Sequence, residues 1–254
     1  MRFEPIDRSN SFEEKECFIA FFDILGTKAH EDSSLIAQTI NEINEALNFF
    51  IELHGWLSGD IDIKKKVFSD NFCLFTKENY DVLLRLIGSI QVEIMQMGTF
   101  IRGAVCHGSL AFNEEFLYGK GLIDAYEIES KISIFPRIVI DNSFFEGAAK
   151  IATYKNQKPV SPEEICNKLE SSMDCLTDSD CLKFVNYLQA LKGNKEKAGG
   201  PDGLLMKALG AHAKHIIDNI NNAKDKKIEK KYQWCKNYHN MFCRHYQYQD
   251  LIIK

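Results

Sequence analysis

Apolar residues in this chain fall into two alternating patterns, short continuous runs and stretches with three- and four-residue spacing. Cys17-Phe18-Ile19-Ala20-Phe21-Phe22 is a continuous run that stops at Asp23 and the turn residues Leu25-Gly26-Thr27, as a buried strand does. Ile36, Ile40, Ile43, Leu47 and Phe50 then recur at helical spacing, with Asp32, Ser33 and Ser34 as candidate caps. Residues 61–68 and 72–76 read as two strands parted only by Ser69-Asp70-Asn71, a separation that suits a hairpin. A second helix follows, with Val82, Leu83, Leu86, Ile87, Ile90, Ile94 and Met97 on its apolar face and Gly98 at its end. Strand character resumes over 100–106. The order βαββαβ predicts an α+β fold with a ferredoxin-like palm core, both helices lying on one face of an antiparallel sheet.

Past this unit we expect a strand or hairpin arm over 110–118, a helix over 122–132 and a strand over 137–140. The core is expected to end near Asp141, with a catalytic-core domain assigned to 1–153. A mainly helical C-terminal extension is expected over 154–254. It opens on a polar connector at 155–162, then a helix started by Pro162-Glu163-Glu164 with Ser161 as cap. A hairpin over 174–187, a loop over 193–203 and one or two long helices over 204–249 complete it, the last interrupted by Lys224-Asp225-Lys226-Lys227.

Charge narrows the ligand. With 31 basic and 36 acidic side chains in 254 residues the net charge is −5, which gives nucleic acid or an anionic membrane no global reason to bind. Any phosphate must be held locally. The N-terminus has no apolar signal region and no run approaches the roughly 20 apolar residues of a membrane span, so a cytoplasmic location is expected. The eight cysteines form no C-x-x-C pair and several stand in apolar runs, so disulfides are not expected. P-loop, G-x-S-x-G and H-E-x-x-H motifs are absent from the sequence.

Two carboxylates stand out. Asp23 ends the first apolar run ahead of a glycine-containing turn that leads into a helix, a plausible seat for phosphate with a bound cation. Alternatively, Asp23 only caps that turn. Asp70 lies in the hairpin turn, and in a palm sheet the first strand runs beside the hairpin. Two carboxylates brought that close repel unless a cation sits between them.

The residues resemble a known family. Phe22-Asp23-Ile24-Leu25-Gly26, Ser69-Asp70, Ile101-Arg102-Gly103-Ala104-Val105-Cys106-His107-Gly108 and Tyr118-Gly119-Lys120-Gly121-Leu122-Ile123-Asp124-Ala125 look like the class III nucleotide cyclase homology domain, over about half the chain. With Phe135-Pro136-Arg137-Ile138 and Lys231-Tyr232-Gln233-Trp234, the pattern is similar to the bacterial pyrimidine cyclases of the Pycsar antiphage systems. The resemblance implies conversion of UTP or CTP to cyclic UMP or cyclic CMP plus pyrophosphate. It also implies two divalent cations (Mn2+ or Mg2+), a homodimer with active sites at the interface, and a separate effector that reads the product. Asp23 and Asp70 would be the metal carboxylates, the Ile24 carbonyl a further metal ligand, and Gly26 and Thr27 backbone donors to the triphosphate. Lys66 and Phe116 fall where purine cyclases place base-contacting residues. Lys66 keeps a purine substrate open as an alternative.

The pattern departs from the family at one helix. The Asn and Arg that stabilise the transition state there fall on Ile123 and Glu127, so another cation must serve, with Lys131, Arg102 and Arg137 as candidates, or the chain is a degenerate module that binds nucleotide or a partner without turnover. Cys235, His239 and Cys243 share a helix face, which we read as a packed face rather than a metal site. His212 and His215 read as helix-surface residues, and His107 as a turn histidine.

Overall fold

The computed structural model describes residues 13–25, 33–58, 62–193 and 203–254. Its elements follow the order β1 (Lys15–Ile24), α1 (Ser33–Ser58), β2 (Lys64–Phe68), β3 (Asn71–Thr76), α2 (Tyr80–Gln96) and β4 (Ile101–Phe112). Next come β5 (Leu117–Tyr118), α3 (Lys120–Lys131), β6 (Ile138–Ile140), α4 (Asn142–Asn156) and α5 (Pro162–Ser171). The chain continues with β7 (Cys175–Thr177), β8 (Lys183–Val185), α6 (Tyr187–Gly193), α7 (Gly203–Asn221) and α8 (Lys226–His245). The sheet order is β2-β3-β1-β4-β6-β8-β7, with β5 paired to β4. Its first four strands are antiparallel throughout, which is the palm arrangement expected from the βαββαβ order.

The unbroken apolar run of β1 is explained by burial on both faces. Phe18, Ala20, Phe22 and Ile24 point into a core shared with α1, α2 and α4, while Cys17, Ile19 and Phe21 point to the opposite face, where Ala125 of α3 joins Cys73, Cys106 and Leu110. The α2 helix stops as its sequence predicts, with Gly98 at φ +85° just past the C-cap Met97.

Close backbone contact sets the position of α3. A Cβ on Gly108 would lie 2.9 Å from the Gly121 Cα, so only glycine at these places lets the start of α3 rest on β4. From there the buried positions recur every fourth residue, Gly121, Ala125 and Glu129.

Two helices escape the pattern reading. The α4 helix is capped by Asp141, whose carboxylate accepts from the Ser143 N–H at 2.9 Å, and it buries Phe144, Phe145 and Ala148 in the palm core. The α6 helix is short and follows directly on β8. The α4 helix carries the palm core past its expected end near Asp141, and residues 194–202 of the expected loop and the candidate cap Asp32 lie outside the described residues. Ser161 and Glu164 form a capping box on α5 with Pro162 at its start, and Asp225 caps α8 within the polar run that parts the last two helices. The β7–β8 hairpin extends the sheet beyond β6, and α6, α7 and α8 form a second apolar cluster that takes in Val92, Met95 and Phe100. All eight cysteines are free, and all but Cys181 are buried. Among the described residues no helix is long and apolar enough to cross a membrane.

Candidate active site

Asp23 is the last residue but one of β1 and lies between two partners, opposite Asn71 of β3 on one side and Arg102 of β4 on the other. Asp70 stands in the two-residue turn between Phe68 and Asn71, whose first residue, Ser69, takes the left-handed conformation at φ 59°. The turn is fastened to β1, because the Ile24 N–H donates to the Asp70 backbone carbonyl at 3.3 Å. Asp70 also accepts from the Asn71 amide at 3.2 Å. The two aspartates, 47 positions apart by number (70 − 23), thus meet at one end of the sheet.

The Asp23 carboxylate is tied to Arg102, which donates through Nε to Oδ1 at 3.1 Å and through Nη2 to Oδ2 at 3.2 Å. Behind Arg102 lies Glu129, whose Oε1 is 2.7 Å from Nη2. Burial raises the Asp23 carboxyl above its ordinary value, and the Asp70 charge adds to the rise against the opposing pull of Arg102. Burial lowers the Lys231 ammonium of α8, and the nearby Arg102 and Lys227 charges lower it further.

These donors suit a hard divalent cation. Two oxygen-bearing carboxylates whose charges already act on one another match the habit of Mg2+ and Mn2+, which take one or two carboxylates and complete their shell with phosphate and water. The bidentate Arg102 uses one lone pair on each Asp23 oxygen and leaves others for a metal. Among the described residues no group of three His, Cys, Asp or Glu side chains is set to enclose an ion, so the nucleotide itself would have to complete the coordination.

The remaining sequence candidates fall elsewhere. Gly26 and Thr27 lie outside the described residues. Ile24 buries its side chain in the palm core. Lys66 of β2 donates to the backbone carbonyl of Glu114, in the turn that also holds Phe116, so these two residues share one neighbourhood. By register Lys66 lies level with Cys73, Phe21 and Ala104, two residues from the Asp23–Arg102 level, and the turn after β4 comes back to meet it. Lys131 is exposed and pairs with Glu127 at 3.2 Å, and Ile123 is exposed as well.

Arg137 is not available as a catalytic cation. It is fully buried, its guanidinium is held by Asp178 and Asp180, and the rings of Phe135, Phe184 and Trp234 surround it. The Trp234 indole N–H also donates to Asp178, at 2.6 Å, so this cluster ties β6, the β7–β8 turn and α8 together. His212 is a second correction. It lies in the core between Tyr187 and His239, not on a helix surface, while His215 sits half-buried against Gly98. His107 lies within β4 opposite Phe18 and not in a turn, 3.5 Å from Glu16. Cys235, His239 and Cys243 are all buried, the packed face expected of them.

Sequence reasoning missed Glu129. A signal was present, since Gly121, Ala125 and Glu129 stand four apart, the last acidic on an otherwise small-residue stripe.

No family model and no curated protein matches the chain. Among solved structures it is similar to the monomeric guanylyl cyclase domain of the RhoGC fusion protein from the aquatic fungus Blastocladiella emersonii, at 13% identity over 68% of this chain and 95% of that one, with a TM-score of 0.47. It is also similar to the catalytic core of a rhodopsin-guanylyl cyclase with converted specificity in complex with ATPalphaS, at 16% identity, 52% and 80% coverage and a TM-score of 0.42. The adenylyl cyclase CyaB from P. aeruginosa matches at 13% identity, 53% and 81% coverage and a TM-score of 0.39.

Proposed function

We propose that this chain is a pyrimidine nucleotide cyclase, a second-messenger synthase that turns UTP or CTP into the 3′,5′-cyclic monophosphate and pyrophosphate in bacterial antiphage defence. The observation that carries the chemistry is the meeting of Asp23 and Asp70 at the end of a palm sheet, fastened by the Ile24–Asp70 backbone bond. The pyrimidine substrate and the defence role rest on the sequence resemblance alone. Residues 1–153 would form the catalytic core and 154–254 an extension.

Asp23 and Asp70 would hold two divalent cations. When bound, these would lower the pKa of the ribose 3′-hydroxyl and neutralise charge on the phosphates. Arg102, fixed between Asp23 and Glu129, keeps the Asp23 carboxylate oriented and adds positive charge beside the reacting phosphate.

The Lys66–Phe116 neighbourhood belongs to the base. The resemblance implies a head-to-tail homodimer, in which the metal carboxylates of one copy face the base-contacting residues of another. Ile123 and Tyr126 on α3, 45% and 54% exposed, offer that second copy an apolar surface on the same side of the sheet as Asp23.

One observation favours a second reading. Ile123 and Glu127 stand where the family carries its transition-state groups, and Glu127 is engaged with Lys131, which suits a module that binds nucleotide without turning it over. Incubation with each of the four NTPs and Mn2+, followed by mass spectrometry, separates the two. Cyclic UMP or cyclic CMP is expected; cyclic AMP or GMP alone would select a purine cyclase, and saturable NTP binding without product the degenerate module.

A further inference from the structure

A cation of the C-terminal helices stands beside the carboxylate pair. The first half of α8 lies over the sheet end that carries Asp23: the Tyr232 ring meets Phe100 edge-on at 5.7 Å, and the Phe100 carbonyl accepts the Leu25 N–H at 2.8 Å. Phe100 leads into β4 and Leu25 follows β1, so the residue next to Lys231 is anchored where Arg102 and Asp23 begin and end their strands.

Lys231 itself is half-buried and lies within electrostatic reach of both Asp23 and Arg102. Among the described residues its ammonium makes no hydrogen bond or ion pair. Among the described residues Asp23 accepts from Arg102 and not from Lys231. The charges that act on Lys231 most strongly are of its own sign, Arg102 and Lys227 one turn earlier on α8, ahead of Asp23 and of Asp225 at the start of α8. Once Asp23 took a divalent cation, the carboxylate that acts most strongly on Lys231 would be spent. An anion of high charge would then complete the site.

We propose that Lys231 holds the triphosphate of the nucleotide bound at Asp23 and Asp70, so that the C-terminal extension supplies part of the substrate site in the same chain. This rests on the cyclase function proposed above. The chemistry fits a lysine, whose compact charge on a flexible stem binds phosphate oxygens without demanding one geometry.

The test uses full-length Lys231→Met and Lys231→Arg, with Lys230→Met as a control for charge on the same helix. Inorganic tripolyphosphate with Mg2+ is titrated calorimetrically, UTP and UMP are compared in the same way, and kcat and KM are measured with Mn2+. Lys231→Met should weaken tripolyphosphate binding about tenfold, the usual worth of one charge-assisted contact, and should shrink the preference for UTP over UMP by a similar factor. KM should rise more than kcat falls. Lys231→Arg should keep most of the affinity, and Lys230→Met should stay within about twofold of wild type. Wild-type binding by Lys231→Met at an unchanged melting temperature would overturn the assignment. If Lys231→Met does not fold, Lys231→Arg and tripolyphosphate protection of the wild type against heat decide instead, and absence of protection overturns it. A wild type that makes no cyclic product yet loses tripolyphosphate through Lys231→Met would overturn the cyclase function and keep the anion site.

Discussion

Arg102 on β4 grips both carboxylate oxygens of Asp23 on β1, at 3.1 and 3.2 Å, while Glu129 of α3 shares its Nη2 at 2.7 Å. Glu129 keeps only 4% of its side-chain exposure, against 19% for Asp23 and 23% for Arg102. Removing the guanidinium would therefore strand one fully buried carboxylate and one that water still reaches. Arg102→Ala should cost about 2–3 kcal/mol, below the range for a wholly buried pair because solvent screens the Asp23 side. Arg102→Met combined with Glu129→Gln should recover more than half of it. Urea unfolding measures both, and a loss under about 0.5 kcal/mol in the single variant would contradict the triad.

The palm core depends on ring packing beneath the same strand end. Phe22 is fully buried and stacks on Phe72 of β3, centroids 5.4 Å apart and planes 10° apart. Phe22→Ala should lower stability by about 3–5 kcal/mol, since the neighbouring strands cannot close the cavity. Phe22→Leu should lose less than half as much by the same denaturation measurement.

Acid should loosen the C-terminal helices before it touches the carboxylates. His239 Nε2 lies 2.8 Å from the Leu251 carbonyl, which can only accept, so the proton sits there and Nδ1 accepts from His212 Nδ1 at 3.1 Å. His212 Nε2 then accepts from the Tyr187 hydroxyl at 2.9 Å. Burial lowers both imidazoles below their ordinary value, and His239 and His215 push His212 further in the same direction; Cys243, 3.4 Å from His239, is the other titratable neighbour. With folded pKa values below the unfolded ones, the unfolded chain takes up protons first. Stability is therefore whole above about pH 6.5 and falls as pH drops, by at most about 1.4 kcal/mol per unit for each histidine. Unfolding at pH 7.5 and 5.5 should differ by about 1–2 kcal/mol in wild type and by less in His212→Phe; equal values would contradict neutral, buried rings.

What the sequence makes legible here is local. The β1 run, the Ser69-Asp70 turn, the Gly98 stop and the Ser161–Glu164 box each announce themselves within a few residues, and their order implies the palm sheet. Partners from distant elements are not announced. Arg137 looks like a spare cation until Asp178 and Asp180 close on it, and His212 looks exposed until Tyr187 and His239 cover it. Glu129 gains its place only because Gly108 and Gly121 let α3 settle on β4. The α4 helix was within reach, since Asp141-Asn142-Ser143 is a cap and Phe144, Phe145 and Ala148 follow at helical spacing.

A shared active site makes a prediction that a monomeric site does not. Asp70→Ala lacks the metal end and Lys66→Ala the base-contacting end, so each alone should have little activity. Mixed in equal amounts and allowed to exchange, half of the dimers are heterodimers with one intact site of two, and about a quarter of wild-type turnover should return. No recovery in a mixture shown by native mass spectrometry to have exchanged would rule out the head-to-tail arrangement.

The central claim is that Asp23 and Asp70 share divalent metal under a nucleotide. Mn2+ titration followed by electron paramagnetic resonance, with a non-cyclisable UTP analogue present, tests it most directly in wild type, Asp23→Asn and Asp70→Ala. The account predicts tight Mn2+ binding in wild type and at least about a hundredfold weakening in each variant, with circular dichroism and melting of Asp70→Ala unchanged and its turnover lost. Mn2+ affinity and turnover that survive the loss of either carboxylate would contradict it.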